Sequence, residues 1–256
     1  RIEGVTRLAL VGAPSRGLLG GFGALASTSG EFGSIDREDA FMFATLGESG
    51  ASGAGGSRAA AWNWLLGAIN DAKTYPRPYM AGHKEGDVLL RRDAMAFAPV
   101  VAGRVPLVIE AHNAADILQV LTLRQRESQM RIILLGATEG WRVADQIAEA
   151  GVPVIINPTT NLPGRFELIG STMENAARLH AAGVVIAIAD PGDSTHNSRW
   201  LPQLAGNAVA NGLPWDAAFA AISRNPALIF SRDDLGILRP GATADVVVWD
   251  GDPLEL

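Results

Sequence analysis

Val105-Pro106-Leu107-Val108-Ile109-Glu110, Arg131-Ile132-Ile133-Leu134-Leu135, Val152-Pro153-Val154-Ile155-Ile156 and Val184-Val185-Ile186-Ala187-Ile188-Ala189 are four short apolar runs rich in β-branched residues. Between them, Ala114–Gln125, Trp141–Ala150 and Met173–Ala182 carry apolar residues at helical spacing. Uninterrupted strands alternating with amphipathic helices predict parallel βαβ units buried on both faces. Ala150-Gly151-Val152 and Ala182-Gly183-Val184 repeat one device, in which glycine ends a helix and valine opens a strand. The pattern fits a (β/α) barrel or a doubly wound sheet.

Outward from this block the texture changes. Pro202–Asn211 and Pro214–Ser223 read as two helices, and Ala244–Asp250 reads as a strand. Toward the N-terminus, Arg7-Leu8-Ala9-Leu10-Val11 reads as a short strand, followed by a chain rich in glycine, alanine and serine. The Gly47–Gly56 cluster predicts an irregular, functional loop, because glycine is a poor helix and strand former. Trp62, Leu65, Leu66 and Ile69 then recur at helical spacing within Ser57–Lys73.

The chain has 256 residues, 48% of them hydrophobic and 19% charged. Its mean hydropathy of +0.15 excludes a disordered chain. A net charge of −6 with no basic run argues against nucleic acid as a partner. No apolar stretch approaches the ~20 residues of a membrane span. Cysteine is absent, so disulfides and thiolate metal sites are excluded, while the compartment stays open. Gly21-Phe22-Gly23-Ala24-Leu25-Ala26 fits a dinucleotide-binding pattern but starts about nine residues after its strand, which leaves an oxidoreductase a remote alternative. Neither a phosphate-binding P-loop nor a serine nucleophile elbow occurs.

In parallel α/β folds chemistry sits at the carboxyl ends of the strands. Those ends carry Glu110, His112 and Asn113; then Thr138 and Glu139; then Asn157 and Asn161; then Asp190, Asp193 and His196. Imidazole and carboxylate groups gathered there suit a divalent metal with nitrogen and oxygen ligands. Such a metal activates water for hydrolysis. His180 reads as a helix surface residue and His83 as a solvated loop residue.

The C-terminal third carries a more specific signature. Asn207-Ala208-Val209-Ala210-Asn211-Gly212-Leu213, then Ala217–Ala227, then Leu235-Gly236-Ile237-Leu238-Arg239-Pro240-Gly241 running into Ala244-Asp245-Val246-Val247-Val248-Trp249-Asp250-Gly251-Asp252-Pro253 resemble the amidohydrolase superfamily. Its imidazolonepropionase-like members are the nearest in pattern. The resemblance extends weakly back to Gly4-Val5-Thr6.

It implies a (β/α)8 barrel with a small β-sandwich, here incomplete at the N-terminal end. Residues 1–235 would form the partial barrel and residues 236–256 a strand of the sandwich. It also implies hydrolysis of a C–N bond in a small amide or cyclic amide by water on a divalent metal, with zinc the expected ion. His112 matches the fifth-strand ligand, and Asp193 or Asp190 the eighth-strand aspartate, as ligand or as base. The sixth-strand histidine falls on Leu135 or Gly136, where Glu139 stands as a substitute ligand. Asn157, Asn161 and His196 are the candidates for substrate contact. The family's His-x-His pair is absent from the sequence, so the chain is expected to be a fragment, inactive alone and poorly stable, with edge strands open to homo-oligomer formation. The competing reading is a barrel that has lost its metal and serves as a binding or scaffold protein.

Overall fold

A computed structural model describes residues 4–12, 17–75, 86–190 and 195–255. One mixed sheet of seven strands organises it: β1 (Arg7–Leu10), β2 (Leu19–Ser27), β3 (Ile35–Thr45), β4 (Leu107–Ala111), β5 (Ile132–Gly136), β6 (Val154–Ile156) and β7 (Ile186–Ile188). The strands lie side by side in chain order. Strands β1, β2 and β3 pair antiparallel, and β3 to β7 pair parallel. The order never reverses, so the sheet has no switch point of the kind that defines a doubly wound fold. It is a curled half-barrel, an incomplete α/β barrel.

Period-two alternation divides each parallel strand between two cores. Met42, Ala44, Leu107, Ile109, Ile132, Leu134, Val154 and Ile156 point to the helical layer. There they meet α2 (Arg58–Lys73), α3 (Arg91–Val101), α4 (Ala114–Arg126), α5 (Ala144–Glu149), α6 (Asn175–Ala181), α7 (Leu201–Ala210) and α8 (Trp215–Ile222). Phe41, Phe43, Val108, Ile133, Ile155 and Ala187 form the inner row, which Ile229 and Phe230 at the end of α9 (Arg224–Ile229) cover. The Phe41 and Phe230 rings stand 5.0 Å apart. Each fully buried aliphatic side chain contributes roughly 1.5–3 kcal/mol, which makes this layering the main support of the fold.

Helix starts follow the sequence. Ser57 Oγ accepts the Ala60 N–H at 3.0 Å to open α2, and Asn113 Oδ1 accepts the Ala115 N–H at 2.8 Å to open α4. The four runs quoted first are all strands, and the predicted helices lie within a few residues of α2 and α4 to α8.

Three expectations are corrected. Gly47–Gly53 is a short helix, α1, not an irregular loop. Its first turn is held from outside by Glu167, whose Oε2 accepts the Glu48 N–H at 2.9 Å. Gly50 packs against the Thr45 backbone, where a Cβ would not fit. The Gly21–Ala26 run lies inside β2, so it is no strand-to-helix phosphate turn. Among the described residues the Ala244–Asp250 run joins no strand ladder, and Val248 is 90% exposed. It passes beside Gly4 through Val247 and Trp249 and is tied by an Arg7–Asp245 ion pair at 3.1 Å. Among the described residues no helix is long and apolar enough to cross a membrane.

Candidate functional site at the strand ends

The inner row continues past the apolar core into polar residues. Phe41, Phe43 and Thr45 alternate along β3, and Val108, Glu110 and His112 along and beyond β4. One parity rule therefore places Thr45, Glu110 and His112 at the carboxyl end of the sheet, on the barrel side. Thr45 Oγ1 donates to Glu110 Oε2 at 2.6 Å. His112 Nε2 lies 3.1 Å from Glu110 Oε1, and its Nδ1 lies 2.7 Å from Thr138 Oγ1 at the end of β5.

Burial pushes the Glu110 carboxyl up, but its contact with His112 and its hydrogen bond from Thr45, with the nearby Arg165 charge, outweigh that effect. Its pKa therefore lies below the ordinary carboxylate value, and Glu110 is ionised at neutral pH.

Gly136, at the end of β5, lies against the His112 ring. Its φ is +89°, and a Cβ there would lie 2.5 Å from His112 Cε1. The imidazole occupies the space that a side chain at residue 136 would need.

Two side chains reach the site from the segment between β6 and α6. Arg165 Nη2 lies 3.1 Å from His112 Nε2, 3.3 Å from Glu167 Oε1 and 3.8 Å from Glu110 Oε1. Its Nη1 donates to Ser49 Oγ of α1 at 2.9 Å. Glu167 is only 5% exposed.

The other expected residues divide. Asn157 Nδ2 donates to Asp190 Oδ1 at 3.2 Å, joining the ends of β6 and β7. Its Oδ1 accepts from the Thr159 hydroxyl at 2.7 Å. Glu139 Oε2 accepts the Ala114 N–H at 3.0 Å, so its carboxylate serves the first turn of α4. Asn161 is exposed, and its Nδ2 meets Met173 Sδ at 3.3 Å. Asp193 and His83 lie outside the described residues. His196 belongs to the 3-10 turn Thr195–Trp200, its side chain outside the description. His180 is exposed on α6, as expected. No hydrogen bond or ion pair joins His112 to Asp190 among the described residues.

Sequence reasoning missed Thr45, Arg165 and Glu167. The Phe41–Thr45 alternation held the signal for Thr45; nothing in sequence marked the two loop residues.

The Amidohydrolase family model matches residues 122–256. The chain belongs to the amidohydrolase family. No curated protein matches its sequence. Among solved structures, an amidohydrolase from Thermotoga maritima is similar, at 22% identity and a TM-score of 0.85, over 99% of this chain and 68% of that one. Uncharacterized metal-dependent hydrolases from Pyrococcus furiosus (15% identity, TM-score 0.46) and Pyrococcus horikoshii (13%, 0.48) each align with 64% of this chain and 36% of their own. The Thermotoga likeness supports the fold.

Amidohydrolases in general are hydrolases that use divalent metals. A metal needs several donors at about 2.0–2.2 Å around one point. Among the described residues no three His, Asp or Glu side chains converge in that way. A guanidinium instead lies 3.1 Å from His112 Nε2. The described residues therefore do not fit a metal in this arrangement.

Proposed function

We propose that the protein is a hydrolase acting on a C–N bond of a small amide or cyclic amide, with its site at the carboxyl ends of β3 to β7. The observation that supports this reading most is the linkage of Thr45, Glu110, His112 and Thr138 across three adjacent strand ends, in a chain that belongs to the amidohydrolase family. Glu110 is ionised and hydrogen-bonded, which suits it to take a proton from water or to hold an imidazolium. Asn157, steadied by Asp190 and Thr159, offers an amide at the same end of the sheet for a polar substrate group.

Purified protein assayed against small linear and cyclic amides should show hydrolysis. His112→Asn should lower the rate by about 10²-fold or more with the fold retained by circular dichroism. Activity that survives both His112→Asn and Glu110→Gln would overturn this site. A second reading, a non-catalytic barrel that binds rather than cleaves, is favoured by the guanidinium of Arg165 against His112. It predicts a protein free of bound metal after native purification and inert toward every amide tested.

A further inference from the structure

We propose that Glu110, His112 and Glu167 form a seat for a planar organic cation, filled from within the chain by Arg165, and that a small molecule bearing a guanidinium or amidinium group can take Arg165's place. The inference does not depend on hydrolysis.

The acceptors are built into the fold. Glu110 lies one residue before the end of β4, His112 follows the strand, and Glu167 is held by the Glu48 N–H of α1. Glu167 Oε1 is buried and makes no hydrogen bond, with Arg165 Nη2 the cation that faces it at 3.3 Å. A carboxylate oxygen desolvated in this way needs a positive charge beside it. The cation is the less embedded partner: the Arg165 side chain is 37% exposed and belongs to no helix or strand.

The geometry selects the cation's shape. Nη2 serves His112 and Glu167 while Nη1 serves Ser49, so two nitrogens of one plane are used at once. A guanidinium or amidinium provides that fork, whereas an ammonium is a single point of charge. The separations of 3.1–3.8 Å suit hydrogen bonds and ion pairs rather than metal ligation.

One proton on His112 reports occupancy. Arginine has no acceptor, so its contact requires the Nε2 lone pair, which leaves the proton on Nδ1, facing Thr138. Glu110 Oε1, 3.1 Å from the same Nε2, requires an N–H there. Emptying the seat therefore favours the Nε2–H tautomer, and filling it favours the Nδ1–H tautomer.

The experiment is nitrogen-15 NMR of the His112 ring in the full chain, with methylguanidinium as the probe. Arg165→Ala should raise the Nε2–H population. Methylguanidinium at millimolar concentration should reverse that change in Arg165→Ala and leave wild type unaffected. Binding should weaken about tenfold or more when Glu167→Gln is added to Arg165→Ala. Arg165→Gln provides a second opening of the seat should Arg165→Ala fold poorly, and Arg165→Lys should fail to restore the wild-type tautomer. The proposal is overturned if opening the seat leaves the His112 ring unchanged. It is also overturned if methylguanidinium has no effect on the opened variants, if Glu167→Gln leaves binding intact, or if methylammonium restores the tautomer equally well.

Discussion

Val184–Ala189 and Ala244–Trp249 are almost the same kind of sequence, each a run of valines and small apolar residues, yet they end in different states. The first contains β7, paired with β6 and buried, with Ile186 and Ile188 at 1% and 3% exposure. The second lies beside Gly4, joins no ladder among the described residues, and exposes Val246, Val247 and Val248. Composition is common to both; neighbours are not. Strand formation depends on a partner that receives the backbone hydrogen bonds and a layer that covers the side chains.

The sharpest way to break this contrast is by truncation. Ile109→Ala, at a fully buried position of β4, should lower unfolding free energy by about 3 kcal/mol or more, since it leaves a cavity between sheet and helices. Val248→Ala should change it by less than about 0.5 kcal/mol. Chemical denaturation of both variants gives the comparison. An equal loss in the two would mean that the 244–249 run is covered in solution. Amide hydrogen exchange gives a second measure: protection along Leu107–Ala111 near the global limit, and little at Val246–Trp249.

A smaller effect probes the strand ends, which the paired region supports. Gly136→Ala places a methyl group against the His112 ring at a φ of +89°. Left-handed strain and crowding together should cost about 2 kcal/mol. The His112 resonances should move with it. A variant of unchanged stability with an unmoved His112 would show that the ring does not rest in this space.

The same contrast explains which features were legible in sequence. The parallel strands announced themselves because both faces are buried, so their apolar runs are unbroken. His112 was legible for the same reason, as a polar residue ending such a run. Strands β2 and β3 were obscured by glycine in β2 and by charge at Asp36, Arg37, Glu38 and Asp39 in β3, although Phe41–Thr45 alternates cleanly. Helix α1 was hidden because its support, Glu167, comes from 119 residues away. Arg165 and Glu167 entered the site by tertiary placement, which no local pattern encodes. The Ala244–Trp249 run was misread in the opposite direction, since its valines suggest a strand but it joins no ladder among the described residues.

The last and smallest prediction concerns how the 244–249 run is held at its start. Asp234 accepts two hydrogen bonds from Arg232 at 2.8 Å, and its Oδ2 accepts the Thr243 hydroxyl at 2.9 Å. The Thr243 N–H donates to the Asp234 carbonyl at 2.9 Å, so Asp234 fixes the chain one residue before Ala244. The Arg232 hydrogen bonds, joined by Thr243, hold the Asp234 carboxyl well below the ordinary carboxylate range. A folded pKa below the unfolded one means that the stabilisation is complete above the unfolded value of about 3.9, and is lost as pH falls toward the folded value. Because the carboxylate is partly exposed, screening keeps the effect below about 1 kcal/mol. Asp234→Asn should therefore lower the melting temperature slightly at pH 7, and the gap to wild type should close as pH drops below about 4. Exchange at Asp245–Val247 should quicken in the variant at pH 7 while that of Leu107–Ala111 stays unchanged. A gap that is constant from pH 7 to pH 3 would show that ionised Asp234 does not anchor the run.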